Sequence, residues 1–150
     1  MKTMKINITQ IVLWEGKAYV PSNAQYRNGI FTGVEPIFII RPTLEELIPI
    51  VHSVMAKEPV LLPDPSQEEV KARYELIPKI TGARSWRRLC QKGINYVIGF
   101  SEKGVTLTMS RLDSKGRWEY DPNKEKNYPM GTSLTVVVHD ILDDLASRPK

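Results

Sequence analysis

Residues 95–110, Asn95-Tyr96-Val97-Ile98-Gly99-Phe100-Ser101-Glu102-Lys103-Gly104-Val105-Thr106-Leu107-Thr108-Met109-Ser110, decide the fold. Tyr96, Ile98 and Phe100 fall on one side of an extended chain. Val105, Leu107 and Met109 fall on one side of the next, alternating with Thr106, Thr108 and Ser110. Side chains of a strand point to opposite faces in turn, so a period of two marks two strands with one buried face each. Glu102-Lys103-Gly104 turns the chain between them, and Asp113-Ser114-Lys115-Gly116 turns it again into Arg117-Trp118-Glu119-Tyr120. The pattern predicts a three-stranded antiparallel meander. An apolar sheet face must be covered, and the next periodic segment supplies the cover. After a polar loop over 121–131, Thr132 or Ser133 caps a helix with Leu134, Val137, Val138, Ile141, Leu142 and Leu145 on one stripe.

Towards the N-terminus, Ile6 and Ile8 alternate with Lys5, Asn7 and Thr9, and Ile11-Val12-Leu13-Trp14 continues the strand. Glu15-Gly16 turns it and Lys17-Ala18-Tyr19-Val20 returns, a hairpin over residues 4–20. Pro21 to Gly33 is polar and glycine-containing and reads as a loop, while Glu35-Pro36-Ile37-Phe38-Ile39-Ile40 reads as a strand. A helical middle opens at Thr43-Leu44-Glu45-Glu46, whose Thr-x-x-Glu form caps a helix, and Pro49 predicts either a kink or a start at Pro49 itself. Residues 58–63 form an extended connector; a second helix runs from Asp64-Pro65 through Val70, Tyr74 and Ile77 to Pro78, and a third from Ser85 to Gly93. The expected fold class is α+β: one domain over 1–150, an antiparallel sheet of N-terminal hairpin and C-terminal meander, packed with about four helices.

The 150 residues, 41% apolar and 25% charged, have the composition and size of one globular domain. The uninterrupted apolar runs, such as 37–40 and 136–138, fall far short of the roughly 20 residues that a membrane helix needs. Residues 1–8 carry charge without an apolar stretch behind it, unlike a secretory leader. Cys90 is the single cysteine, which suits a reducing compartment, and the expected location is the cytoplasm. With Trp86 and Leu89 as neighbours, Cys90 is expected to be a buried structural thiol.

His52 and His139 stand on separate predicted helices without a second ligand at metal spacing, and His139 and Asp140, adjacent along a helix, point in different directions. No nucleophile elbow, phosphate loop or dinucleotide fingerprint is present. The expectation is therefore no metal, no cofactor and no catalytic residue, with an enzyme of scattered carboxylates and tyrosines as the dissenting reading. Charge is uneven: residues 1–75 hold eight basic and nine acidic residues, residues 76–150 thirteen and eight, a balance of −1 against +5. Lys79, Arg84, Arg87, Arg88 and Lys92 share a stretch with no acid, and Trp86 lies among them. A solvated face with an anchoring tryptophan is the plainer reading. An RNA-binding module using residues 79–92, or an acidic partner, is the sharper one.

Thr81-Gly82-Ala83-Arg84-Ser85-Trp86-Arg87-Arg88-Leu89, the meander with Gly104 and Gly116 in its turns, and Gly131-Thr132-Ser133-Leu134 leading into Val138-His139-Asp140-Ile141-Leu142 resemble the contact-dependent growth inhibition immunity proteins of bacteria. The resemblance covers residues 81–147. Where that family's last helix usually opens with an acidic residue, Gly131-Thr132-Ser133 stands here. The resemblance implies a cytoplasmic, non-enzymatic protein that binds the toxic C-terminal domain of an adhesin, often a nuclease, and inhibits it by occlusion. Asp140, Asp143 and Asp144 are then expected on the solvent side of the last helix as partner-binding residues, together with Arg84, Arg87 and Arg88. Like charges at i,i+4 near the negative end of a helix dipole disfavour the helix, a conflict expected at a functional surface. The competing expectation is that the arginines fold over and pair with these aspartates.

Overall fold

In the computed structural model, which describes residues 7–148, the chain runs β1 (Asn7–Trp14), β2 (Lys17–Tyr26), β3 (Phe31–Ile40), α1 (Leu44–Ala56), β4 (Val60–Leu62), α2 (Gln67–Thr81), α3 (Trp86–Lys92), β5 (Ile94–Ser101), β6 (Gly104–Leu112), β7 (Trp118–Tyr120), β8 (Lys126–Tyr128) and α4 (Leu134–Ser147). Residues 1–6, with the Ile6 end of the expected hairpin, lie outside the described residues. Hairpin and meander are parts of one sheet, because β1 pairs antiparallel with β5 and gives the order β3-β2-β1-β5-β6-β7. β4 adds to β2 in parallel, and β8 adds to β6 beyond the stretch that β7 uses. The result is a single α+β domain with an open eight-stranded sheet.

Register decides which face is buried. Ile11 lies opposite Tyr96, Tyr96 opposite Met109, and Ile98 opposite Leu107, so the alternating apolar sets of three strands coincide on one face. Leu47, Val51 and Val54 of α1 and Val137, Val138 and Ile141 of α4 close over that face and form the main core. The opposite face is covered at one end, where Val12, Trp14 and Tyr19 meet Ile77 of α2 with Ala83 and Leu89. Farther along, Gln10, Asn95 and Ser110 are linked across three strands by hydrogen bonds of 2.9 Å and 2.9 Å. No helix among the described residues is long and apolar enough to cross a membrane.

Three local expectations change, and at α1 one of two alternatives holds. The loop expected over 21–33 is mostly strand: β2 continues to Tyr26, with a register shift at Pro21/Ser22 that takes up a proline lacking an N–H donor. α1 begins before Pro49, on the Thr43 hydroxyl that accepts from the Glu46 amide at 3.3 Å, and Pro49 lies inside it. α2 is capped by Ser66 rather than Asp64, since Ser66 and Glu69 have the Ser-x-x-Glu spacing and the hydroxyl accepts from the Glu69 amide at 3.2 Å. It also runs past Pro78 to Thr81. The loop expected over 121–131 contains a 3-10 turn, Pro122–Lys124, and β8, a strand too short to register as alternation.

Candidate functional site

α4 carries the three aspartates, and the sheet it packs on decides what they do. Asp144 points inward: its carboxylate accepts from the Tyr96 hydroxyl at 2.7 Å and from Arg148 Nε at 2.8 Å, and Lys124 Nζ stands at 3.8 Å. The Arg148 guanidinium also lies 5.8 Å above the centre of the Tyr96 ring. Asp140 accepts from the Tyr128 hydroxyl at 2.6 Å, with Lys126 Nζ at 3.8 Å. Asp143 is exposed and meets His139 Nδ1 at 3.1 Å. The expectation of three solvent-facing carboxylates is thus corrected to one: side-chain exposure is 14% at Asp144, 28% at Asp140 and 68% at Asp143. Like charges at i,i+4 are tolerated because each has its own tyrosine donor. Among the described residues, the Lys and Arg side chains that reach these aspartates are Arg148, Lys124 and Lys126, not Arg84, Arg87 or Arg88.

Helix geometry carried the signal. At about 100° per residue, Asp143 lies about 180° from the centre of the apolar stripe, Asp140 about 120° and Asp144 only about 80°, at its margin. Burial and the hydrogen bond to a carboxylate push the Tyr96 hydroxyl well above the ordinary tyrosine range, and the same causes raise Tyr128. Both phenols are therefore held protonated as donors, the wrong state for a base. Burial pushes the Asp144 carboxyl up, but the Tyr96 hydroxyl and Arg148 outweigh it and hold the group below its ordinary value. Chemically, the arrangement is a latch that ties α4 to β5 and β8.

The second candidate is the basic stretch. Lys79, Arg84, Arg87, Arg88 and Lys92 are all exposed. Trp86 is held between neighbours: its ring centre is 4.9 Å from that of Tyr74 and 5.9 Å from that of Trp118, the latter edge-on. Its indole N–H donates to the Tyr74 carbonyl. That carbonyl is the one Pro78, which has no amide hydrogen, leaves without a helical donor. The anchoring role expected of Trp86 is present, and the structure adds Tyr74, an aromatic on the preceding helix that sequence spacing alone does not place beside it. Between the end of α2 and the start of α3 opens a cleft of about 740 Å³, bordered by Tyr74, Pro78, Lys79, Arg84 and Trp86. Arg84 holds a left-handed backbone, φ 72°, and its amide donates to the Pro78 carbonyl at 3.2 Å.

Cys90 is buried, and burial raises its thiol, so it is the structural residue expected. His139, Asp140 and Asp143 bring one ring nitrogen and two carboxylate oxygens within 4.8 Å of one another, a grouping the separate histidines did not suggest. Asp140 already receives Tyr128 there.

No protein-family model matches the chain, and no curated protein does. Solved structures match it in fold. A protein of unknown function, NMB0488, from Neisseria meningitidis is similar at 14% sequence identity with a TM-score of 0.70, over 97% of this chain and 96% of that chain. The CdiA-CT/CdiI toxin and immunity complex from Yersinia pseudotuberculosis contains a chain similar at 12% identity with a TM-score of 0.68, over 95% of this chain and 97% of that chain.

Proposed function

We propose that this chain is an immunity protein of contact-dependent growth inhibition: in the cytoplasm it binds the toxic C-terminal domain of an adhesin and neutralises it by occlusion, without catalysis. The observation that carries the reading is a fold shared over nearly the whole length with a chain of a toxin and immunity complex. The motifs over residues 81–147 support it from the sequence side. The site chemistry is in keeping with a binder, since two carboxylates of α4, Asp144 and Asp140, are taken up by the hydroxyls of Tyr96 on β5 and Tyr128 on β8. For the partner, the resemblance implies a nuclease.

Of the six residues expected to meet that partner, Arg84, Arg87, Arg88 and Asp143 present exposed charges, while Asp140 and Asp144 are held by tyrosines. The proposed contact surface therefore centres on the arginines, with Asp140 and Asp144 fixing α4. Co-expression tests the function. Cells producing the toxin domain encoded beside this gene survive when the chain is present and stop growing when it is deleted; equal growth arrest in both contradicts the proposal.

A further inference from the structure

Cations and acids of the C-terminal half pair off unevenly. Arg111 meets Glu119 at 3.0 Å and Asp121 at 3.5 Å, Arg117 meets Asp113 at 3.3 Å, and Lys124, Lys126 and Arg148 serve the aspartates of α4. Among the described residues, Lys79, Arg84, Arg87, Arg88 and Lys92 make no ion pair, although all belong to one short stretch of chain. Two of them, Lys79 and Arg84, border the cleft of about 740 Å³ whose aromatic wall is Tyr74 and Trp86, and Glu75 is the one acid there. Arg84 keeps its long cation at a backbone conformation that favours glycine.

We infer that this cleft docks an acidic segment of the protein partner, in which an apolar side chain lies against Tyr74 and flanking carboxylates meet Lys79 and Arg84. The inference deepens the immunity reading and rests on it for the partner's being a protein. Charge complementarity names the carboxylates: five unpaired cations on an exposed surface attract an acidic partner and speed its encounter. The rings name the apolar group. Tyr74 is 54% exposed, and Val70, 49% exposed, stands one turn before it on α2, so an apolar strip runs into the cationic rim. The same rings disfavour single-stranded nucleic acid, which stacks successive bases on successive ring faces. Here Trp86 is packed against both Tyr74 and Trp118 and its N–H is committed, leaving Tyr74 as the open ring.

The test uses the full chain and three labelled probes in fluorescence titrations: a short peptide of aspartate and glutamate around one phenylalanine, its amide counterpart of asparagine and glutamine, and an oligouridylate. Arg84→Gly removes the cation while relaxing the backbone, so lost folding does not explain lost binding. Combined with Lys79→Gln, it should weaken the acidic peptide by roughly tenfold, two surface charge pairs' worth, while Lys103→Gln elsewhere leaves binding unchanged. Equal binding of the acidic and amide peptides, an unchanged affinity in the double variant, or oligouridylate as the probe bound tightest and lost with these two side chains overturns the inference. The neighbouring toxin domain is titrated in parallel. Toxin that binds wild type and double variant alike overturns the cleft assignment and leaves the immunity reading standing. Toxin that binds neither, with the acidic peptide still captured by the cleft, overturns the immunity reading alone.

Discussion

Pro78 and Trp86 are eight residues apart and act as one device. A proline inside a helix leaves the carbonyl four residues back without a donor, and here the indole of the following helix fills that place at Tyr74. Trp86→Phe keeps a ring against Tyr74 and Trp118 but removes the N–H, and should cost about 1–3 kcal/mol in urea unfolding. In Pro78→Ala the helix has its own amide for that carbonyl, so the tryptophan substitution should cost less there than in the wild type; an equal cost in both backgrounds would break the link. Asp144 makes a second prediction, through pH. Its folded pKa lies below the ordinary value. A carboxylate of that kind contributes its full stabilisation above the unfolded pKa of about 3.9 and loses it as pH falls through the lower folded value. The stability gap between wild type and Asp144→Asn should thus be complete near neutral pH and narrow below about pH 4. Unfolding curves across that range check it, and a gap independent of pH contradicts the latch. The aspartates also show what spacing alone conceals: Asp140, Asp143 and Asp144 look alike in a list of charges, yet only Asp143 lies opposite the apolar stripe. The hydroxyls that claim the other two come from Tyr96 and Tyr128, distant in sequence.

At the scale of elements, the last helix and the strands it covers were legible because each carries a single apolar face of the right period. Ile141 is fully buried in that interface, whereas Val136 is 48% exposed on the same helix. Ile141→Ala should therefore cost about 2–5 kcal/mol, and Val136→Ala should stay within about 0.5 kcal/mol. Similar losses at the two positions would contradict the orientation of α4. Turns carry a second constraint. Gly104 has φ 123°, and a Cβ there would strike the Tyr128 carbonyl of β8, while Gly116, φ 77°, has only the Gln91 amide at 3.9 Å. Gly104→Ala should destabilise by about 1–3 kcal/mol and more than Gly116→Ala, as thermal unfolding would show. Gly93 ends α3 as expected, and its φ of −90° is open to any residue, so it is not there for a left-handed backbone. Glycine is needed for room instead, because a Cβ would stand 2.6 Å from the Leu89 carbonyl and 3.1 Å from that of Leu13. β8 and the far half of β2 escaped sequence reading for a common reason. Their pairing partners, not their own period, make them strands.

For the whole molecule, the α+β class and the four helices follow from local periodicity, but the joining of hairpin to meander does not. β1 and β5 are separated by the entire helical middle, and nothing in either strand names the other; the register becomes fixed only when both apolar sets must face α1 and α4. The candidate surface was legible by halves. Five cations and a tryptophan stood out as a stretch, while Tyr74 entered the site through the packing of α2 on α3. The proposed inhibition of a toxin domain by binding is tested most directly by the activity of the purified neighbouring toxin domain as this chain is added. Activity should fall in proportion to added protein and reach background at a stoichiometric amount, with the Lys79→Gln/Arg84→Gly variant requiring more. Toxin activity that stays constant through a large excess of wild-type protein would contradict it.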